Sequence, residues 1–290
     1  MKKLLTDYLN HLEIEKNRSQ KTVENYDRYL KRFLNWAKVS GPTEISNDLV
    51  RNYRLYLNRV NPPLKKISQN YHLIALRNFL KYLAKRDIKT LTADKIELAK
   101  SGDRQIDFLE NEEVERLLES ARGGSLKALC DRALLELLFS TGLRVSELCS
   151  LNRDSVNLKR GEFAVRGKGD KTRVVFLSES AKKALQNYLS QRKDMDEALF
   201  VRDKRHVTSD TEENLRLTPR SIQRMVKHYA AKAGIVKNVH PHTLRHSFAT
   251  DLLRNGADLR SVQAMLGHVN VTTTQIYTYI TDTGLKEVHR

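Results

Sequence analysis

The first ninety residues repeat apolar and polar positions with the period of an α-helix. In four successive segments apolar side chains recur three or four positions apart, which places them on one face of a helix. Ser19 and Thr22 are candidate caps of the second segment, and Asp48 and Ser68 are predicted to begin the third and fourth. Two breaks separate segments two, three and four, at Gly41-Pro42 and Asn61-Pro62-Pro63. The pattern predicts four amphipathic helices in a small domain spanning residues 1–90.

The rest of the chain begins with a change of pattern. Residues 91–106 are polar and weakly periodic, and we interpret them as a linker. Helical periodicity returns from residue 107, most clearly over residues 126–139. Two short segments with strand character, 162–166 and 172–177, flank the glycine-rich turn at Gly167-Lys168-Gly169, which predicts a β-hairpin. The predicted fold class is therefore mainly α with two domains, the second (107–290) being mostly helical with a small hairpin.

Charge narrows the choice of partner. The 290 residues include 52 Lys and Arg against 35 Asp and Glu, a net charge of +17. Residues 1–100 alone hold 21 basic and 10 acidic side chains, a net charge of +11. Such an excess favours a polyanionic partner such as nucleic acid, although many proteins have a basic, solvated surface for no such reason.

The apolar composition argues against a membrane protein. Mean hydropathy is −0.56, and no apolar run approaches the roughly 18 residues that a membrane span requires. The N-terminus turns polar at once, unlike a signal peptide. Cys130 and Cys149 lie in apolar segments without metal-ligand spacing, which is typical of buried, reduced thiols. We expect a cytoplasmic protein without contact to a membrane.

Four segments of the second domain contain candidate chemistry. Arg144 follows a glycine next to an apolar helix, and Lys168 lies at the predicted hairpin tip. His242 and Arg245 share one face of a helix that Pro241 begins. The last segment holds two further candidates, His268 and Tyr277. Each residue alone also has an ordinary structural explanation; Arg144, for example, has Glu147 three positions later as an ion-pair partner.

Together these residue types suit chemistry on a phosphodiester. Two guanidiniums hold the non-bridging oxygens and stabilise the charge that develops there. Imidazoles donate hydrogen bonds and move protons near neutral pH. A lysine protonates the leaving oxygen, and a tyrosine phenol attacks phosphorus. This scheme needs neither a metal nor another cofactor, and we expect none.

These segments resemble the tyrosine recombinase (phage integrase) family, and within it the Xer recombinases. The matching segments, in the family's order and spacing, are 141–148, 167–169, 242–246, 266–268 and 273–277. The basic N-terminal helices resemble the family's SAM-like core-binding domain, so the resemblance covers nearly the whole chain. It implies a clamp around duplex DNA, with catalysis in the C-terminal domain.

The resemblance also implies a role for each candidate residue. Arg144 and Arg245 bind the scissile phosphate, and Lys168 is the general acid. His242 and His268 assist with hydrogen bonds and proton transfer. Tyr277 is the nucleophile and forms a 3′-phosphotyrosyl link, while Glu147 supports its neighbours. Tyr279 is an alternative nucleophile, but the spacing from His268 favours Tyr277.

The resemblance further implies assembly on DNA. Four protomers, identical or of two related kinds, pair two specific sites and exchange strands through a Holliday junction. The C-terminal tail docks on a neighbouring protomer, with Leu285 and Val288 as candidate anchors. Whether a DNA translocase activates the protein stays open at this point.

Three alternatives compete with a Xer-type enzyme that resolves chromosome dimers at a dif-like site before cell division. An integrase or resolvase of a mobile element or plasmid has the same chemistry, but the absence of an additional N-terminal arm-binding domain favours the Xer type. A non-catalytic DNA clamp would have lost at least one of the six catalytic residues. A metal-dependent nuclease built on His240, His242 and His246 lacks matching carboxylates.

Overall fold

The chain divides into two compact units, Met1–Arg104 and Gln105–Arg290. The computed structural model describes residues 1–100, 107–167, 172–202 and 215–268, together with Thr274 and Tyr277. The division lies inside the predicted linker 91–106. The beginning of that segment packs on the first unit, because Ala93 and Ile96 are buried in its core. The domain limits that we derived from the sequence stay a prediction.

The first unit is built from the four helices that the periodicity predicted. They are α1 (Lys2–Ile14), α2 (Gln20–Ala37), α3 (Asn47–Arg59) and α4 (Lys66–Ala84). Short 3-10 turns cover Pro42–Glu44 and Ala93–Lys95. One side of each helix is apolar, and these sides meet in a core whose fully buried members include Leu30, Tyr53 and Phe79. The four predicted helices are thus confirmed.

Two of the predicted helix caps are wrong by two or more positions. The cap of α3 is Ser46, whose Oγ accepts a hydrogen bond from the Leu49 N–H at 3.2 Å, and Asp48 lies in the first turn. Helix α4 begins at Lys66, before Ser68. The cap is the last residue with extended backbone, and Ser46 (φ −104°, ψ 168°) meets that condition while Asp48 is already helical.

The second unit surrounds one buried helix. Its described α-helices and β-strands are α5 (Asn111–Ser120), α6 (Leu126–Thr141), α7 (Val145–Ser150), β1 (Glu162–Arg166), β2 (Thr172–Phe176), α8 (Glu179–Gln191), α9 (Pro219–Lys232), α10 (Pro241–Arg254) and α11 (Leu259–Leu266). Helix α6 is buried along most of its length, and Leu134, Leu135, Leu137 and Leu138 are almost inaccessible to solvent. A helix that is apolar on several sides must pack against several neighbours, which makes α6 the centre of this unit.

The two strands form the predicted antiparallel hairpin. The register pairs Glu162 with Phe176 and Arg166 with Thr172. Val165 and Val175 face the core, and Arg173 lies two positions from Val175 on the same side of β2. The fold class is therefore confirmed as mainly α with one small β-hairpin. Among the described helices none is long and apolar enough to cross a membrane.

Candidate active site

A tight turn between α6 and α7 positions the first candidate arginine. Gly142 ends α6 in the left-handed conformation (φ 57°), and a Cβ at this position would lie 2.5 Å from Phe248 Cδ1. Only glycine satisfies both constraints. The turn places Arg144 at the N-cap of α7. There its backbone N–H donates to Glu147 Oε2 at 2.8 Å and its Nη1 donates to Oε1 at 2.7 Å.

Glu147 binds a second arginine that the sequence did not single out. Arg173 of β2 donates through Nη1 and Nη2 to the two oxygens of Glu147, at 2.9 and 2.8 Å. The side chain of Glu147 is 4% exposed. Burial raises the pKa of this carboxyl, but hydrogen bonds from Arg173 and Arg144 outweigh burial and lower the pKa to about 2. Glu147 is therefore ionised at neutral pH and fixes both guanidiniums.

The third arginine, Arg245 of α10, is almost fully buried. Its Nη1 donates to the Gly142 carbonyl at 2.5 Å, and its Nη2 donates to the Leu266 carbonyl at 2.6 Å. Burial and the charge of nearby Arg144 lower the pKa of Arg245 to about 10, so the side chain stays protonated at neutral pH. These contacts tie the C-terminal ends of α6 and α11 together.

All three arginines donate hydrogen bonds to the C-terminal end of α11. Three consecutive carbonyl oxygens each accept a hydrogen bond: Met265 from Arg173 at 2.9 Å, Leu266 from Arg245, and Gly267 from Arg144 Nη2 at 3.1 Å. Carbonyls at this end of a helix lack partners within the helix and carry partial negative charge. They therefore suit cationic donors.

We call Arg144, Arg173 and Arg245 the arginine cluster. Among the described residues, Glu147 is the one carboxylate that binds any of the three. Three positive charges against one negative charge leave an excess of two within a largely buried region. Buried positive charge without a compensating anion raises the free energy of the folded protein, so the cluster is suited to bind an anion. Arg144 is the most accessible member, with 28% of its side chain exposed.

His268 follows directly after this helix end. Gly267 (φ 64°) ends α11, and a Cβ here would lie 3.0 Å from Arg173 Cδ. His268 Nδ1 lies 3.0 Å from Thr274 Oγ1. Burial, followed by the charges of Arg245 and Arg144, lowers the pKa of His268 to about 4. The imidazole is therefore uncharged at neutral pH. In this state it can act as a hydrogen-bond donor but not as a cation.

Tyr277 is fully buried next to the same helix end. It belongs to an apolar cluster with Phe248, Ala249 and Leu266. Its phenol Oη lies 2.5 Å from His246 Nδ1. Burial raises the pKa of Tyr277 to about 12, although the charge of Arg245 acts in the opposite direction.

The remaining predicted site residues are placed as follows. His242 is exposed in the first turn of α10, and its ring centroid lies 6.2 Å from that of His240. His240 caps α10, because its Nδ1 accepts from the Thr243 N–H at 3.1 Å. Lys168 lies outside the described residues, as do Tyr279, Leu285 and Val288. The structure thus brings Arg144, Glu147, Arg245, His268 and Tyr277 to the region around the C-terminal end of α11.

Sequence reasoning missed two residues of this region, Arg173 and His246. The signal for Arg173 was available, because an arginine two positions from Val175 occupies the buried face of a strand, where a charge requires a partner. His246 was part of a matching segment but received no role. Its contact to Tyr277 joins positions 31 residues apart, which no local pattern reveals.

Two family models match most of the chain. Residues 107–283 match the phage integrase family, and residues 5–87 match the phage integrase N-terminal SAM-like domain. The chain is 37% identical to tyrosine recombinase XerD of Oceanobacillus iheyensis, over 99% of this chain and 96% of that protein. It is 35% identical to tyrosine recombinase XerC of Thermodesulfovibrio yellowstonii, over 98% and 94% of the two chains.

A solved structure shares the fold. The site-specific recombinase XerH, crystallised with a palindromic difH substrate as a post-cleavage complex, matches with a TM-score of 0.72 at 24% identity. The match covers 94% of this chain and 80% of that one. These sequence matches show that the chain belongs to the phage integrase family of tyrosine recombinases, which are enzymes of DNA strand exchange. Within that family it is a Xer-type site-specific recombinase.

Proposed function

We propose that this protein cleaves and rejoins duplex DNA at a specific site, with Tyr277 as the nucleophile. The main support is the excess positive charge of the arginine cluster beside α11, with Tyr277 in the same buried apolar cluster as Leu266 of that helix. A phosphodiester between the guanidiniums would offset that excess charge. It would also place phosphorus near a phenol oxygen.

Each side chain has a defined part in the proposed step. Arg144 and Arg245 bind the non-bridging oxygens and stabilise the additional charge of the transition state. Glu147 orients Arg144, and neutral His268 donates a hydrogen bond. The Tyr277 Oη–phosphorus bond forms while the bond from phosphorus to the 5′ oxygen breaks. Lys168 gives the leaving oxygen its proton.

The covalent 3′-phosphotyrosine keeps the energy of the broken bond. Rejoining is therefore the reverse attack by a 5′ hydroxyl and needs no nucleotide hydrolysis. Cationic side chains supply the charge stabilisation that a metal ion provides in other phosphoryl-transfer sites. We propose that the protein acts without a metal or organic cofactor, and that His242 adds a further hydrogen bond once DNA is bound.

The biological role that we propose follows the Xer relatives. Four protomers would pair two dif-like sites and exchange strands through a Holliday junction, which resolves chromosome dimers before cell division. The relatives include both XerC and XerD proteins. The four protomers are therefore either identical or of two related kinds. Because its substrate is chromosomal DNA, we place its action in the cytoplasm. We also propose that a DNA translocase activates the protein.

The first test traps the covalent intermediate on a duplex with a nick next to the cleavage point, so that the released fragment diffuses away. The wild-type protein should accumulate a protein–DNA adduct. Tyr277→Phe should form none while binding the duplex as well as the wild type, and the matched variant Tyr279→Phe should retain the adduct. An adduct that persists in Tyr277→Phe would contradict the proposal, and a wild type that binds without any adduct would favour a non-catalytic clamp.

The second test locates the site in the cell. Adducts trapped on genomic DNA are purified and the attached ends are sequenced. A single chromosomal locus with inverted half-sites is expected. Ends that map to the borders of a mobile element or plasmid would instead assign the protein to that element.

A further inference from the structure

We infer that His246 is a further catalytic residue, which takes the phenol proton of Tyr277 during cleavage and returns it during rejoining. This inference rests on the proposed function of Tyr277. His246 lies on α10 directly after Arg245, and none of the roles assigned above uses it. It is half-buried, whereas His242, one turn earlier on the same helix, is exposed.

The first support is contact geometry. His246 Nδ1 lies 2.5 Å from Tyr277 Oη, within the range of a short hydrogen bond between two heteroatoms. The two ring centroids are 5.5 Å apart with an interplanar angle of 54°. A general base must lie within hydrogen-bond reach of the proton that it removes, and His246 satisfies this condition.

The second support is the need for a base. Burial raises the pKa of Tyr277 to about 12, and the charge of Arg245 offsets only part of that increase. At neutral pH roughly one phenol in 10⁵ would be ionised without help. A neutral phenol is a poor nucleophile, so cleavage at a useful rate requires proton removal during the attack.

The third support is the charge around the imidazole. The charge of Arg245 acts on Tyr277, and His246 and Arg245 both act on His268. Arg144, Arg173 and Glu147 in turn act on Arg245. The neutral imidazole has one ring nitrogen without a proton, and this is the form that accepts the phenol proton. A bound phosphate would offset part of that charge, so the imidazolium that forms during attack is then tolerated.

The proton balance is complete within named groups. During cleavage the proton on Tyr277 Oη moves to His246 Nδ1, the oxygen–phosphorus bond forms, and the bond to the 5′ oxygen breaks. Lys168 protonates the 5′ oxygen. During rejoining the 5′ hydroxyl attacks phosphorus and gives its proton to the neutral amine of Lys168. The bond from phosphorus to the phenol oxygen breaks, and imidazolium His246 returns its proton to the departing phenolate.

His246→Asn separates proton transfer from positioning. The amide oxygen of asparagine accepts a hydrogen bond at about the place of Nδ1, but it does not hold the proton. His228→Asn is the matched control, because His228 also packs against a tyrosine, Tyr229, with centroids 5.0 Å apart, yet lies exposed on α9. Unchanged DNA binding and an unchanged unfolding transition in both variants exclude a folding defect.

The assay measures single-turnover cleavage of two nicked substrates, one natural and one with sulfur in place of the 5′ bridging oxygen. A thiolate leaves without a general acid because a thiol has a pKa of about 8.5. His246→Asn should cleave both substrates about 100-fold or more slowly than the wild type, the usual range for a general base. Lys168→Ala should be slow on the oxygen substrate and recover on sulfur, and His228→Asn should match the wild type.

The outcomes distinguish the inference from the proposed function. Cleavage by His246→Asn at the wild-type rate would overturn the inference. Faster cleavage would also overturn it, because the contact would then hold Tyr277 back. Recovery of His246→Asn on the sulfur substrate would move His246 to the leaving-group side and likewise overturn it. A wild type that forms no adduct on either substrate would contradict the proposed function itself.

Discussion

Replacing Glu147 with glutamine removes one negative charge from the arginine cluster and keeps the size of the side chain. The carboxylate is 4% exposed and accepts four hydrogen bonds, from the Arg144 backbone and guanidinium and from two nitrogens of Arg173. A glutamine amide offers one acceptor oxygen and points its NH₂ group at a guanidinium. Both arginines would then lose part of their fixed geometry.

The pKa of Glu147 gives the size of the effect on stability. Hydrogen bonds from the two arginines outweigh burial and lower the pKa from 4.5 to about 2. A difference of this size corresponds to about 3 kcal/mol of folding free energy at neutral pH. Because the pKa is lower in the folded state, this contribution is present above pH 4.5 and is lost as pH falls towards 2. Loss of one partner of a buried ion pair costs about 3–5 kcal/mol, which agrees.

Glu136→Gln is the matched control. Glu136 is 3% exposed and accepts from Arg132 at 3.0 and 2.7 Å and from Ser180 at 3.0 Å. Its partners lie on α6 and at the start of α8 and contact none of the arginine cluster. Both variants should lower the free energy of unfolding in urea by a similar amount.

Cleavage of a nicked substrate separates the two variants. Measured at a temperature where both are folded, Glu147→Gln should cleave about 10- to 100-fold more slowly, because Arg144 is no longer held for the phosphate. Glu136→Gln should cleave at the wild-type rate. Equal cleavage by all three proteins would refute the positioning role of Glu147, and an equal loss in Glu136→Gln would show that the effect is only structural.

Two further predictions concern acid stability and metal dependence. Burial and nearby Arg32 lower the pKa of His72 to about 4, so the first unit should lose up to about 3 kcal/mol as pH falls from about 6.5 to 4. The fluorescence of Trp36, the single tryptophan, reports this loss of stability. The pH-dependent loss should disappear in His72→Gln and remain in His228→Gln. An unchanged pH profile in His72→Gln would contradict the assignment of the loss to His72. Adduct formation should continue in excess EDTA, and a strict requirement for Mg²⁺ would contradict charge stabilisation by the arginine cluster.

Local patterns were sufficient to predict most of the fold. Helical periodicity predicted α1 to α4, and two segments of strand character around a glycine-rich turn predicted β1 and β2. Gly142 and Gly267 both have positive φ and end α6 and α11. The capping positions were less accurate, because Ser46 and Asp48 are equally good capping residue types and only the backbone decides between them.

The residue types of the site were predictable from the sequence, but the contacts between residues far apart in the chain were not. Arg144 and Glu147 are three positions apart, so their ion pair follows from local spacing. The contacts from Arg173 to Glu147 and from His246 to Tyr277 join distant segments and depend on how α10, α11 and the hairpin pack. The neutral state of His268 likewise depends on burial beside arginines that are far away in sequence.

Mass spectrometry of the covalent adduct identifies the atom that joins protein to DNA. The covalent adduct from a nicked substrate is digested with protease and nuclease, and the linked peptide is sequenced by mass spectrometry. If Tyr277 is the nucleophile, a 3′-nucleotide phosphate should be found on its phenol oxygen. A link to Tyr279, to a serine or histidine, or to a 5′ phosphate would contradict it.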